Sequence, residues 1–176
     1  ALIYFTLSAA SLGRAGRRVA DALSAGDLEA AREATSHLVA RDTAGLDAAG
    51  VARATVGSLA ENTVDGVVAP LFWSAVLGPA GAWFHKAVST LDSMVGYRTE
   101  PYARFGTVAA RLDDILVWLP ARLTIPLVAF AASFVGGDPW QAWRIGWRDR
   151  LKHESPNSAH GEAAFAGALA LQLGGE

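Results

Sequence analysis

Two long apolar runs constrain this chain more than any other feature. They comprise residues 64–84 and 115–135, and each contains one charged side chain, Asp65 in the first and Arg122 in the second. A helix needs about 20 apolar residues to cross the hydrocarbon core of a bilayer. No stretch of the chain alternates apolar and polar residues over the length that a β-strand requires. We therefore predict an all-α, integral membrane helical bundle, multi-pass in the cell membrane, with an amphipathic helical hairpin outside the bilayer.

The composition agrees with this class and excludes several others. Of the 176 residues, 52% are hydrophobic and 18% are charged, whereas about 25% are charged in an average soluble domain. A net charge of −2 provides no basic field for nucleic acid. The absence of cysteine excludes disulfides, thiolate metal sites and cysteine nucleophiles.

The first apolar run contains a turn signal. Pro70 lies inside it, and Gly78-Pro79-Ala80-Gly81 follows near its end. The run is therefore either one kinked helix or a re-entrant hairpin of two half-helices, whose broken backbone must be covered by protein or by a wet cavity. A turn at residues 78–81 would place residues 61–65 and 89–98 together on the cytoplasmic face.

The polar stretch 13–63 is predicted to form helices outside the bilayer. Asp27 is a suitable N-cap for a helix that runs to about residue 40. A second helix is expected to start at Asp42 or Thr43.

Four further segments complete a single membrane domain. Residues 85–114 are predicted to form a polar loop that carries the site, and residues 136–162 an interfacial segment. In that segment three tryptophans share one helical face, as in a helix at headgroup depth: Trp140, Trp143 and Trp147. The apolar ends, 1–12 and 163–176, are interpreted as the end of a span and the start of a further helix. Both are too short to cross a bilayer, so we expect the chain to be truncated at both ends.

Glu61 and Asp65 form a candidate metal site. Residues four apart lie on one face of a helix, and two carboxylates there repel each other unless a cation lies between them. Oxygen ligands of this kind, with Asn62 beside them, suit Mg²⁺. The alternative is a helix end that happens to be acidic.

Further polar residues enter the second apolar run. Arg111, Asp114, Trp118 and Arg122 are spaced by three and four residues and so form one stripe on a helix. An Arg111–Asp114 pair would also be explained as a structural salt bridge. Similarly, Ser155-Pro156-Asn157 is either part of a site or an ordinary helix start.

These clusters together resemble one family. The match comprises Glu61-Asn62-x-x-Asp65-Gly66 with Ala69-Pro70-Leu71-Phe72, Thr90-Leu91-Asp92-Ser93-Met94-Val95-Gly96-Tyr97, Phe105-Gly106, Ala109-Ala110-Arg111-Leu112-Asp113-Asp114, Pro120-Ala121-Arg122 and Ser155-Pro156-Asn157 with Glu162. In order and spacing they are similar to adenosylcobinamide-phosphate synthase, an integral membrane protein of cobalamin biosynthesis. The sequence departs from the family pattern at Ser89 and at Ser158-Ala159-His160-Gly161.

The resemblance implies a ligase that forms an amide bond. Such enzymes attach aminopropanol or its phosphate to a propionate carboxylate of adenosylcobyric acid, with ATP as cosubstrate and Mg²⁺. The partners implied are the corrinoid, the amine and the lipid bilayer, without nucleic acid, and a homo-oligomer is left open. From their charges and spacing, we expect catalytic groups at Asp92, Arg111, Asp113 and Asp114, and metal ligands at Glu61 and Asp65. Substrate-binding residues are expected at Asn62, Thr90, Ser93, Tyr97, Arg98, Arg122, Ser155, Asn157 and Glu162.

Two other functions remain open at this point. One is a membrane sensor or signalling relative without catalysis, and the other is a small-molecule transporter with broken helices. A transporter is expected to keep charges near the middle of its spans, whereas most charges here lie at the ends of the apolar runs.

Overall fold

The computed structural model describes residues 3, 6–95, 103–153 and 155–173, and this part of the chain is helical without strands. Its elements are α1 (Ala9–Ser24), α2 (Leu28–Ser36), α3 (Ala48–Thr63), a π-helical turn (Val64–Val68), α4 (Ala69–Val95), α5 (Ala103–Val135), α6 (Pro139–Asp149) and α7 (Ser158–Leu169). The predicted all-α class is confirmed.

The first three helices pack around Val19, Ala31 and Val51. The N-cap predicted at Asp27 is confirmed, since its carboxylate accepts a hydrogen bond from the main-chain nitrogen of Ala30 at 3.0 Å. The helix that follows ends at Ser36 rather than near residue 40.

The predicted start of the next helix was wrong. Helix α3 begins at Ala48, because Asp47 supplies the cap by accepting from the Gly50 nitrogen at 2.7 Å. Asp42 instead closes a turn by accepting from the Ala44 nitrogen at 2.9 Å. The Thr43 hydroxyl donates to a main-chain carbonyl of α2.

Helix α3 continues through the π turn into α4, and α4 is broken at Gly78. This glycine has φ 66° and ψ −161°, a backbone conformation that other residues rarely adopt. A β-carbon placed on Gly81 would lie 2.5 Å from the carbonyl oxygen of Trp73, although a straight helix separates these residues by about 12 Å along its axis. The second arm of α4 therefore folds back beside the first, so residues 64–84 form two half-helices.

Helix α5 is about 50 Å long and contains Pro120 and Pro126. Pro120 has no N–H to donate to the Leu116 carbonyl one turn earlier. The indole Nε1 of Trp73 donates to that carbonyl at 3.0 Å instead. A side chain of the broken helix thus satisfies a backbone group that the proline leaves free, which is how helices embedded in lipid tolerate proline.

The predicted polar loop at 85–114 was wrong for its described part. Residues 85–95 continue α4, and residues 103–114 belong to α5. Polar side chains on these turns can form hydrogen bonds with the backbone of their own helix. For example, the hydroxyl of Thr90 donates to the Lys86 carbonyl at 2.8 Å. A polar stretch therefore does not require a loop.

Helix α7 is held against α3, α5 and α6 by small residues. A β-carbon on Gly161 would lie 2.8 Å from the Ala60 carbonyl oxygen of α3, and one on Gly167 would collide with the backbone of Gln141 in α6. Residues 163–169 belong to α7, which begins earlier than expected, at Ser158, and ends at Leu169.

One segment boundary and the orientation of one tryptophan also differ from the expectation. Residues 9–12 begin α1 and continue without a break into the following basic residues. In α6, Trp140 and Trp143 are exposed, but Trp147 packs against the core around Ile125. The three indoles therefore do not all face outward.

Among the described residues, Ala48–Met94 and Gly106–Val135 are long and apolar enough to cross a membrane. The first of these includes the break at Gly78. Helix α5 exposes large apolar side chains along its length, among them Val108, Ile115, Phe130 and Phe134. These surfaces fit contact with a lipid bilayer.

Candidate functional site

Five carboxylates lie around one cavity of about 210 Å³, which we name the carboxylate cavity. Glu61 lies in the last turn of α3, Asp65 in the π turn and Asp92 in the second arm of α4, and Asp113 and Asp114 lie in α5. The cavity is completed by residues 64, 117, 153, 155, 157 and 158. Asp65 and Asp92 meet here because the break at Gly78 returns the second arm to the level of the first.

Asn157 organises one wall of this cavity. Its side-chain nitrogen donates to the main-chain carbonyl of Asp114 at 2.9 Å and to the Asp114 carboxylate at 3.3 Å. Its side-chain oxygen accepts from the Arg122 guanidinium at 3.4 Å. That guanidinium also donates to the Trp118 carbonyl at 2.7 Å and stacks 4.0 Å from the centre of the Trp118 ring.

The stripe predicted along residues 114, 118 and 122 is therefore a connected network. Arg111 is exposed and does not line the cavity. Within the described ranges, the ion pairs involve Arg32 with Glu29, and Asp149 with Arg148 and Lys152. An Arg111–Asp114 salt bridge is thus not formed in this part of the chain.

Glu61 is fixed from the opposite side by α7. The hydroxyl of Ser158 donates to its carboxylate at 3.0 Å. This contact joins residues far apart in sequence, and it depends on the close approach of α7 to α3 at Gly161.

The cavity is strongly acidic. The charges of Asp113, Glu61 and Asp92 all act on Asp65, and only partial compensation comes from Lys86. One carboxylate oxygen of Asp113 is buried without a hydrogen-bond partner in the described part of the chain. Buried carboxylates that repel one another call for protons or cations between them.

The donor set suits a hard cation, but not a cage made of protein alone. Among the described residues, no three or more acidic or histidine side chains are grouped closely enough to hold a metal ion. Mg²⁺ usually keeps several waters and binds through one or two carboxylates together with substrate phosphates. The unpartnered Asp113 oxygen beside Asp65 and Glu61 fits such a hydrated ion.

A second and wider cavity of about 730 Å³ adjoins the first, and we name it the α3 cavity. It shares Glu61 and His153 with the carboxylate cavity, and it is also lined by Asn62 and Glu162. Burial raises the pKa of Glu162 and the Glu61 carboxylate adds to this, whereas His153 and Arg41 oppose it.

The structure brings together part of the predicted site. Seven predicted residues line the carboxylate cavity: Glu61, Asp65, Asp92, Asp113, Asp114, Ser155 and Asn157. Arg122 joins them through Asn157, and Asn62 and Glu162 line the α3 cavity. Thr90 and Ser93 do not line either cavity, since their hydroxyls bond to carbonyls of their own helix. Tyr97 and Arg98 lie outside the described residues.

Sequence reasoning missed His153 and Ser158, which line the carboxylate cavity. Ser158 carried a weak signal, because it stands where the sequence departs from the family pattern. His153 had none, since its position depends on the loop between α6 and α7, where its Nδ1 accepts from the Ser155 nitrogen at 3.0 Å.

The chain is similar to known proteins along nearly its whole length. The family model described as "CobD/Cbib protein" matches residues 1–176. The cobalamin biosynthesis protein CobD of Pelobacter propionicus is 52% identical over 96% of this chain and 52% of its own length. CobD of Yersinia enterocolitica is 49% identical over 99% of this chain and 55% of its own length. CbiB of Salmonella typhimurium is 49% identical over 99% of this chain and 54% of its own length.

The chain thus spans about half the length of these curated relatives. No solved structure matches it. The resemblance noted in the sequence is confirmed at the level of the family, because the family model covers the chain from end to end. This chain belongs to the CobD/CbiB family.

Proposed function

We propose that this chain acts in cobalamin biosynthesis by forming an amide bond on a corrinoid. The reaction joins aminopropanol or its phosphate to a propionate carboxylate of adenosylcobyric acid, and it gives adenosylcobinamide or its phosphate. Membership of the CobD/CbiB family supports the pathway, as do relatives named cobalamin biosynthesis proteins. The motif resemblance supports the reaction.

The observation that carries the proposal is the carboxylate cavity itself. The carboxylates of α3, the π turn, α4 and α5 converge on a space of about 210 Å³, and a guanidinium is held at its edge through Asn157. Acidic groups can hold a cation and accept protons. Arginine binds phosphate and carboxylate oxygens. An ATP-dependent condensation between a carboxylate and an amine can use each of these groups.

The proposed chemistry has two stages. First, an oxygen of the propionate carboxylate attacks a phosphorus atom of ATP. A phosphoanhydride P–O bond of ATP breaks and ADP or pyrophosphate departs, which leaves a phosphoryl or adenylyl group on the carboxylate oxygen. The amine nitrogen then bonds to the carboxyl carbon, the leaving group departs with that oxygen, and the nitrogen gives up a proton. In this proposal an acidic side chain of the cavity accepts this proton, and Arg122 offsets the negative charge of the leaving group.

Mg²⁺ is the cation that we propose for this cavity. Asp65 and Asp113 would bind it, with waters and phosphate oxygens completing its coordination. When bound, the ion supplies neutralisation of negative charge on phosphate oxygens.

The experiment is a product assay on the purified chain in detergent. Adenosylcobyric acid, ATP, Mg²⁺ and either aminopropanol or its phosphate are supplied, and the corrinoid product is identified by mass spectrometry. We expect an amide product that requires the corrinoid, the amine and ATP together. A sensor or a transporter yields no product in this assay, so the absence of the amide would contradict the proposal.

A further inference from the structure

The floor of the α3 cavity is a single face of α3. Residues spaced by three and four along the helix line it: Gly50, Arg53, Ala54, Gly57, Ser58 and Glu61. Residues at this spacing lie above one another on a helix. At Gly57, where nothing lies within 4 Å of a β-carbon, the cavity reaches the helix backbone itself.

Opposite charges are distributed along this face. Arg53 lies about 12 Å along the helix axis from Glu61, and Arg41, in the segment before α3, lines the same cavity. None of the ion pairs in the described part of the chain involves either arginine. Neither guanidinium is held in an ion pair in this part of the chain, and Arg41 acts on Glu162 through its charge alone, so an anion in this cavity can engage both.

Two carboxylates also line this cavity, and Arg41 is near enough for its charge to act on one of them, Glu162. Glu61 is held by the Ser158 hydroxyl, and Glu162 projects into the cavity from α7. The two are close enough for the charge of Glu61 to raise the pKa of Glu162, after the larger effect of burial. A cation between them would remove this repulsion.

We propose that the α3 cavity binds a small zwitterion, with a phosphate group on Arg41 and Arg53 and an ammonium group between Glu61 and Glu162. Two guanidinium groups match the charge of a phosphate monoester, which is close to −2 at neutral pH. The inference rests on the proposed function, in which an amine is one reactant, and it assigns a place to that amine. Since Glu61 also lines the carboxylate cavity, the bound amine lies where the two cavities meet, beside the carboxylates that serve the condensation.

Gly57 provides a direct way to test this site. A β-carbon built on it has nothing within 4 Å, and the residue lies inside α3 with the cavity in front of it. A larger side chain there occupies the cavity without displacing the described protein atoms next to it. Replacing glycine inside a helix also favours the helix. Gly57→Leu should therefore fold and block the site.

The test is titration calorimetry on the full chain in detergent with O-phosphoethanolamine as the probe. Ethanolamine and inorganic phosphate represent its two halves. We expect the probe to bind at least about tenfold more tightly than either half, because both ends of the cavity are then engaged. Gly57→Leu should abolish binding of the probe. The matched control Gly13→Leu, at an exposed position of α1, should leave it unchanged.

Arg53→Gln separates the two ends of the site. It should weaken binding of the probe by about tenfold or more and leave ethanolamine unaffected, because it removes only a charged contact with phosphate. Helicity measured by circular dichroism identifies any variant that fails to fold. If Gly57→Leu fails to fold, the binding measured for Arg53→Gln tests the site instead. Equal binding of probe and halves by the unaltered chain, or unchanged binding by folded Gly57→Leu, would overturn the inference.

The titration contains neither corrinoid nor ATP, so it fails independently of the proposed function. Binding of the probe without amide formation in the product assay would contradict the function and leave the site standing. Amide formation that persists at full rate in Gly57→Leu would contradict the site and leave the function standing.

Discussion

Asn157 donates its side-chain amide to both the main-chain carbonyl and the carboxylate of Asp114, at 2.9 and 3.3 Å. The same amide accepts a hydrogen bond from Arg122 at 3.4 Å, and Asn157 is 4% exposed. One buried amide thus connects the start of α7 to the carboxylate of Asp114 and the guanidinium of Arg122 on α5, and it holds both at the edge of the carboxylate cavity.

Replacement of Asn157 should weaken the fold. Asn157→Ala leaves the hydrogen-bonding groups of Asp114 and Arg122 without this partner, which costs about 1–3 kcal/mol. Asn157→Asp should cost more, because it places a second carboxylate against Asp114. Thermal unfolding in detergent measures both effects. Asn62→Ala is the matched control, since among the described residues the exposed Asn62 amide bonds only within its own helix. Equal losses of stability in Asn157→Ala and Asn62→Ala would contradict the role of Asn157.

The bond between Trp73 and Leu116 gives a second prediction. Trp73→Phe keeps an aromatic ring against Phe72, but removes the donor to the carbonyl that Pro120 leaves free. An unsatisfied carbonyl in apolar surroundings costs about 1–3 kcal/mol, so we expect a lower unfolding temperature. Trp83→Phe, at a residue that is 43% exposed, is the control and should change little. The account of Trp73 fails if the two variants unfold alike.

The broken helix α4 predicts where engineered cysteines can be labelled. The chain has no natural cysteine, so Thr63→Cys and Thr90→Cys each introduce a single thiol. Because the arm that follows Gly78 returns beside the arm that precedes it, both thiols should react with an impermeant maleimide from the same face of the membrane. Reaction from opposite faces would show that the segment crosses the bilayer.

Some features of this fold could be predicted from the sequence. The all-α class was predictable because apolar runs of this length are typical of membrane-spanning helices. The break at Gly78 was predictable because the local sequence contains a turn signal. The alignment of Asp114 with Arg122 followed from helical periodicity, since both residues lie on α5. Each of these features depends on neighbours in the sequence.

Features that depend on distant contacts could not be predicted in the same way. The run of polar residues at 85–114 predicts a loop, whereas Asp92 and Asp113 lie on helices and line a cavity formed between several helices. The donation from Ser158 to Glu61 and the position of His153 require α7 to be packed against α3. That packing depends on Gly161 and its surroundings, which no local pattern identifies.

Glu162 gives a prediction about pH. Burial raises its pKa above the ordinary value of 4.5, so the folded state holds this proton more tightly than the unfolded state. Stability from this group is complete below pH 4.5 and is lost as the pH rises through the folded pKa. Unfolding temperatures of the unaltered chain and of Glu162→Gln should therefore diverge in favour of the variant as the pH rises from 4.5. Parallel curves would contradict the assignment.

The central claim is that the carboxylate cavity performs the condensation, and Asp113→Asn tests it most directly. In the product assay with saturating adenosylcobyric acid, ATP and Mg²⁺, we expect the variant to lose at least about 100-fold in rate, the scale on which groups that stabilise a transition state act. Asp21→Asn, at an exposed position of α1, should keep the normal rate. Both proteins should insert into membranes and show equal helicity. A folded, inserted Asp113→Asn protein with near-normal amide formation would contradict the account.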